Sequence, residues 1–104
     1  MKQTLLSGKP AHEFYFAGFL PNRTGARKNQ LEKLKKLGCT LVFYESCHRI
    51  LASLEDIGLV FGDKEITVAR ELTKKFEEIL RANPKIIQEK LGLNKPRGEF
   101  VIVI

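Results

Sequence analysis

Three short polar segments hold most of the side chains that could do chemistry. They are LPNR at 20–23, ESCHR at 45–49 and RELT at 70–73, and each comes at the end of an apolar run. In open α/β sheets, ligands bind outside the carboxyl ends of the strands, where the N-termini of helices add positive potential. If the apolar runs are strands, we expect these three segments to share one edge of a sheet.

The apolar runs have the composition of strands. EFYFAGFL at 13–20, TLVFY at 40–44 and ITVAREL at 66–72 are rich in aromatic and β-branched residues. EFVIVI at 99–104 is so apolar that we expect a central strand covered on both faces. KKFEEILRAN fits either a strand over 76–81, paired with the preceding strand through a turn at 73–75, or a helix.

Three segments carry apolar residues at helical spacing, over 26–37, 46–62 and 84–92. The first places three leucines on one face, Leu31, Leu34 and Leu37. Ser46 and Asn83 are expected to cap the second and third helices, and Gly62 to end the second.

The order of these elements predicts an α/β fold. We expect a three-layer α/β/α-like sandwich with a mixed sheet of about five strands, because helices separate most strands and one strand pair forms a hairpin. One domain covers 13–104. Residues 1–12 are predicted to be the end of a helix and a linker, since Gly8 and Pro10 follow two leucines.

The composition favours a folded globular domain over a membrane-spanning, secreted or metal-binding protein. The chain is 43% hydrophobic and 29% charged, which is ordinary for a folded domain. No apolar run approaches the ~20 residues needed to cross a bilayer, and the first residues lack the long apolar stretch and cleavage site typical of a signal peptide, so we expect a cytoplasmic protein without membrane contact. Cys39, Cys47, His12 and His48 have neither zinc-site nor disulfide-scaffold spacing, so no metal site is predicted.

Positive charge is the clearest functional signal in the composition. The formal net charge is +6 and the isoelectric point is near 9.5, which favours an anionic partner such as nucleic acid. The first helix is densely basic and is preceded by Arg23. It could follow a phosphate backbone or simply be a solvated face, and no aromatic residues alternate with its charges.

Two pairs of charged residues have both a functional and a plain structural interpretation. His48 and Arg49 fall in the expected first turn of the second helix, where the dipole disfavours cations. They could contact an anion or a partner domain, or Arg49 could simply pair with Glu45. Arg70 and Glu71 should face opposite sides of the sheet, either lining the ligand edge or forming surface ion pairs.

Four segments together resemble the C-terminal domain of the ribosomal RNA small-subunit methyltransferase I family: FAGFLPNRTGARKNQLEKL, TLVFYESCHRIL, VARELTKKFEE and RGEFVIVI. This family is a branch of the tetrapyrrole methylase superfamily. The resemblance implies a two-domain homodimer that holds S-adenosylmethionine between its domains and methylates a cytidine 2′-hydroxyl in 16S rRNA. The N-terminal domain would then be a missing partner, and this domain would be inactive alone.

The resemblance also implies site residues. Tyr44, Glu45 and Ser46 match one cofactor-contacting segment, and Leu72 and Thr73 match another. Glu45 and Leu72 depart from the porphyrin-type residues, and Cys47 stands where the ribosomal branch has proline. Separately from the resemblance, charge and position predict contact with RNA or the partner domain for six basic residues: Arg23, Arg27, Lys28, His48, Arg49 and Arg70.

Two other functions remain open on the sequence. One is a methyltransferase for a tetrapyrrole, which would share the fold and the cofactor. The other is a non-catalytic RNA-binding module whose affinity comes from the basic helix. No residue is assigned as the catalytic base. Neither a hydrolase-like Ser, Cys and His pairing nor a glycine-rich phosphate loop is present.

Overall fold

Five strands and three helices alternate along the chain. The computed structural model describes residues 14–72 and 75–104, and of 72 and 75–77 only the backbone. The elements are β1 (Phe14–Phe19), α1 (Thr24–Lys35), β2 (Thr40–Ser46), α2 (Ile50–Phe61), β3 (Ile66–Leu72), β4 (Lys75–Ala82), α3 (Pro84–Gly92) and β5 (Glu99–Val103).

The strands form one mixed sheet in the order β1-β2-β5-β3-β4. β1 runs parallel to β2, whereas β5 lies antiparallel between β2 and β3, and β4 pairs antiparallel with β3. The α/β fold with a mixed sheet of about five strands is therefore confirmed, and the terminal strand is central as expected.

The segment that fitted either a strand or a helix is a strand. β4 pairs with β3 over its whole length, from Leu72 opposite Lys75 to Ile66 opposite Ala82. Leu80 and Ala82 pack partly buried against the core, whereas Ile79 is 46% exposed. This alternation of buried and exposed residues is that of an edge strand, and it decides between the two interpretations.

All three helices pack on one face of the sheet, with α2 between α1 and α3. One hydrophobic core joins their buried residues to alternate strand residues such as Phe43, Val68 and Ile102. Their strand neighbours point to the opposite face, which we call the open face because residues 14–72 and 75–104 place no helix on it. The period of two places Tyr44 and Ile79 on this face, where both are exposed, whereas Val42 and Val103 on the same face are buried.

Two details at the helix ends differ from the sequence expectation. Leu31 and Leu34 are buried, but Leu37 is 53% exposed because α1 ends at Lys35 and the chain turns at Gly38. Ser46 does not cap α2. β2 continues through Ser46, a turn follows, and the helix begins at Ile50 without a side-chain cap.

The third helix begins as predicted. The Asn83 side chain accepts a hydrogen bond from the Ile86 amide at 2.9 Å, and Pro84 is the first helical residue. In the described part of the chain, none of the helices has the length and apolar character to cross a membrane.

Candidate functional site at the carboxyl edge of the sheet

The three polar segments do share one edge of the sheet. β1, β2 and β3 all run in the same direction, because β2 and β3 are both antiparallel to β5 and β1 is parallel to β2. Their carboxyl ends therefore meet on one side, together with the start of β5. We call this side the carboxyl edge.

A cavity of about 380 Å³ opens where this edge meets the open face. It is lined by residues from four different strands, Phe19, Tyr44, Glu71, Glu99, Phe100 and Val101. The register explains why they meet, since Tyr44 lies opposite Val101 and Glu71 opposite Glu99. A cavity of this size is within the usual range for small ligands and cofactors.

The rings of Phe19 and Tyr44 form one wall of the cavity, and Phe16 packs beside it against Tyr44. The Tyr44 ring lies 5.7 Å from that of Phe19 and 5.1 Å from that of Phe16, centroid to centroid. The three side chains are 41%, 55% and 51% exposed, respectively. They offer flat apolar surface and one phenolic hydroxyl, which suits a planar ligand such as a purine base.

Two carboxylates form the polar wall. Glu71 on β3 and Glu99 on β5 are directly paired across the sheet, and both line the cavity. Like charges directly opposite each other on adjacent strands destabilise a sheet, so neither residue is explained by strand pairing. When ionised, both groups can only accept hydrogen bonds, and they suit ligand hydroxyls, amines or positive charge.

Glu45, which was expected near the cofactor, does not belong to this wall. It points to the helix-covered face and is only 1% exposed. Its carboxylate accepts hydrogen bonds from the Ser46 amide at 2.9 Å, the Ser53 hydroxyl at 2.5 Å and the Arg49 Nε at 3.3 Å. Its hydrogen-bonding capacity is used inside the domain.

Other expected cofactor positions lie near the edge. Ser46 is half-buried opposite Glu99, and its hydroxyl has no hydrogen-bond partner within the described residues. Leu72 is the last residue of β3. Thr73 lies outside the described residues.

Arg27 was expected to make a surface contact, but the structure places it in the interior. It is 3% exposed, and its Nη1 donates to Asp56 of α2 at 2.8 Å. Its other nitrogens donate to the main-chain oxygens of Pro21 and Asn22 at 3.2 and 2.8 Å. The sequence pattern missed this role because Asp56 is 29 residues away.

The remaining basic residues expected to make contacts are at least partly accessible. Arg23 and His48 are exposed, whereas Lys28 and Arg49 are half-buried. His48 and Arg49 lie in the turn before α2 and not in its first turn, and Arg49 makes the expected pair with Glu45. Arg70 lies on the helix-covered face, with its Nε 3.6 Å from the carboxylate of Glu78.

A second cavity, of about 370 Å³, lies at the opposite edge of the sheet near Lys35, Phe61 and Lys64. Both lysine nitrogens are 5.8 Å from the centre of the Phe61 ring, and Lys35 also donates to the Val60 carbonyl at 2.9 Å. α1 and α2 both end here, so their dipoles already attract these cations and oppose a bound anion. We therefore place the candidate site at the carboxyl edge alone.

Sequence reasoning did not select Phe19, Glu99 or Val101. The usable signal was the central position expected of the last strand. A strand that runs antiparallel between β2 and β3 must begin where they end, so Glu99 had to lie near Ser46 and Glu71. Among the described residues, no group of three or more His, Cys, Asp or Glu side chains could hold a metal ion.

Comparison with known proteins identifies relatives over nearly the whole chain. Three relatives, each named "Ribosomal RNA small subunit methyltransferase I", match nearly the whole chain. The Micromonospora olivasterospora protein is 40% identical over 99 residues, the Erythrobacter litoralis protein 43% over 99 and the Bacillus subtilis protein 41% over 103. The matches cover 94%, 95% and 96% of this chain. The chain belongs to this family.

The chain is the C-terminal domain of the methyltransferase I family and spans only about a third of its relatives' length. The share covered is 32% of the Micromonospora protein, 35% of the Erythrobacter protein and 34% of the Bacillus protein. No family model matches the chain.

Proposed function

We propose that the protein containing this chain transfers a methyl group from S-adenosylmethionine to a cytidine 2′-hydroxyl of small-subunit ribosomal RNA. In this proposal, the carboxyl edge forms one wall of the cofactor site. The observation that carries it is the convergence of Phe19, Tyr44, Glu71 and Glu99, from four strands, on one cavity in a chain of the methyltransferase I family.

The residues around the cavity suit the cofactor chemically. The rings of Phe19 and Tyr44 offer surface on which an adenine can stack. Glu71 and Glu99 can accept hydrogen bonds from ribose hydroxyls or an amino group, and their charge complements a sulfonium. When bound, the cofactor would supply an activated methyl group. This chain's own residues would hold and orient it and exclude water from one side.

The cavity is open to solvent, and the relatives are about three times as long as this chain. Methyl transfer requires the donor and the hydroxyl to be held in line, which one wall cannot achieve. We therefore propose that the second wall comes from the N-terminal domain of the protein, that the protein works as a homodimer, and that the isolated domain is inactive.

RNA contact is proposed for the exposed cations near the carboxyl edge and along α1. Arg23 and His48 are exposed beside the cavity segments, and Lys28 is accessible on α1. Arg27 and Lys35 are excluded because their side chains are bonded within the domain. A substrate within the ribosomal subunit also implies a cytoplasmic location.

A labelling experiment tests the proposal. Full-length protein is incubated with methyl-labelled S-adenosylmethionine and undermethylated small ribosomal subunits, and the RNA is digested to nucleosides. We expect label in 2′-O-methylcytidine. Label in a tetrapyrrole precursor offered in parallel, with none in RNA, would replace RNA by a tetrapyrrole as the substrate. RNA binding without any cofactor binding would reduce the protein to an RNA-binding module.

A further inference from the structure

The loop after β1 is held to helix α2 by a buried charge network. Asp56 of α2 accepts hydrogen bonds from the Thr24 hydroxyl at 2.7 and 2.8 Å and from Arg27 at 2.8 Å. Arg27 in turn fixes the main-chain oxygens of Pro21 and Asn22. The backbone on one side of Arg23 is thus bonded to Arg27 and the side chain on its other side to Asp56, while Arg23 itself is exposed.

The turn after β2 is held to the same helix by a second buried carboxylate. The Glu45 carboxylate accepts from the Ser53 hydroxyl of α2, and also from the Ser46 amide and from Arg49. Ser53 is fully buried. Tyr44 immediately precedes Glu45 and points to the opposite face, into the cavity. The bonds to Glu45 therefore fix the backbone that orients Tyr44.

Ser53 and Asp56 lie three residues apart, so they occupy the same face of α2. One side of a single helix thus holds both loops of the carboxyl edge. Stability alone does not explain this arrangement, because a buried ion pair is often no more stabilising than apolar side chains of similar volume. What the network provides is one fixed geometry for two loops.

We propose that Asp56 and Ser53 are positioning residues for the site, Asp56 for the loop that presents Arg23 and Ser53 for the turn that carries Tyr44. This inference rests on the proposed function. It assigns RNA contact to the loop after β1, which Asp56 holds, and cofactor contact to the turn after β2, which Ser53 holds. A misplacement of about 1 Å can lower the rate of an enzyme about 100-fold.

Two single variants of the full-length protein separate these roles. Asp56→Asn keeps the shape of the side chain but removes the charge that holds Arg27. Ser53→Ala removes the hydroxyl that holds Glu45. Glu55→Gln is the matched control, since Glu55 is the exposed neighbour of Asp56 on α2. Steady-state methyl transfer gives a KM for RNA and a KM for S-adenosylmethionine, at temperatures where circular dichroism shows each variant folded.

We expect Asp56→Asn to raise the KM for RNA about tenfold and to leave the KM for S-adenosylmethionine within about twofold. Ser53→Ala should do the reverse, and Glu55→Gln should change neither. Hydrogen exchange should be faster at the amides of 22–24 in Asp56→Asn and of 46–49 in Ser53→Ala. A merely structural role would lower stability and leave both KM values unchanged in the folded variants, which overturns the inference.

Failure of the proposed function is distinguishable from failure of this inference. If the unmodified full-length protein transfers no methyl group to RNA, the proposed function falls, and hydrogen exchange alone still tests whether each residue holds its loop. If the unmodified protein is active but both variants share one pattern of KM values, the positioning roles are wrong. If Asp56→Asn does not fold, Ser53→Ala carries the test, because it removes a single hydrogen bond.

Discussion

The buried pair of Arg27 and Asp56 gives the strongest quantitative prediction about the domain. Both side chains are about 4% exposed, and Nη1 and Oδ2 are 2.8 Å apart. Replacing Arg27 by Met leaves the Asp56 carboxylate buried with only the Thr24 hydroxyl, and leaves the Pro21 and Asn22 oxygens without their donor. Removal of one partner from a buried pair costs about 3–5 kcal/mol.

Such a loss is a large share of the 5–15 kcal/mol that stabilises an ordinary domain. In urea, where small proteins lose about 1–3 kcal/mol per molar of denaturant, the midpoint of unfolding should fall by about 2 M. The loss should persist at high salt, because salt screens a buried pair much less than a surface pair.

A double-mutant cycle on the 104-residue chain measures the pair directly. Urea unfolding is followed by circular dichroism for Arg27→Met, Asp56→Leu and the double variant. The double variant should be much more stable than the sum of the two losses implies, because it removes both charges. If Arg27→Met costs less than about 1 kcal/mol, as an exposed pair would, the buried network does not hold the loop.

Three further predictions concern the helices. Gly58→Ala should stabilise the domain by about 0.5–1 kcal/mol in thermal unfolding, because alanine favours a helix and the new Cβ would lie 3.6 Å from Pro84, an ordinary contact distance. Gly62→Ala should instead cost about 1–3 kcal/mol in the same measurement, because Gly62 has a φ of +66°. Asn83→Ala removes the cap of α3 and should cost about 1 kcal/mol, which lowers the Tm of a domain of this size by about 4–8 °C in calorimetry. Lys28→Ala in the full-length protein should reduce the slope of log Kd for RNA against log salt concentration by about 0.7 to 0.9. Lys35→Ala should leave this slope unchanged, because the Lys35 side chain is bonded to the Val60 carbonyl. Equal slopes for both variants would show that α1 is not part of the RNA surface.

Local sequence signals predicted most of the fold, because each depends on contacts between residues that are close together in the chain. Asn83 and Pro84 begin α3 through contacts within one turn, and Gly62 ends α2 at a positive φ. The strands followed from apolar composition. The start of α2 was misplaced because Ser46 has the chemistry of a cap, whereas pairing of β2 with β5 extends the strand through that residue.

The candidate site was only partly predictable, for a physical reason. The shared edge followed from the order of strands and helices, and Tyr44, expected there by the family resemblance, lines the cavity. Whether a polar side chain faces the cavity or the core depends on partners far away in sequence. Arg27 was expected at the surface from the basic pattern of its helix, and Glu45 near the cofactor from the family resemblance, but Asp56 and Ser53 bind them in the interior. Glu99 required the direction of β5, which composition does not give.

One binding measurement tests most directly whether the carboxyl edge is a cofactor wall. S-adenosylmethionine is titrated calorimetrically into the full-length protein and into two variants, Tyr44→Ala and Tyr15→Ala. Both tyrosines are similarly exposed, at 41% and 47%, but Tyr15 pairs with Leu41 and points away from the cavity. We predict that Tyr44→Ala raises Kd about tenfold or more, equivalent to about 1.4 kcal/mol, and that Tyr15→Ala leaves Kd unchanged. Unchanged binding by Tyr44→Ala would contradict the assignment of the site to this edge.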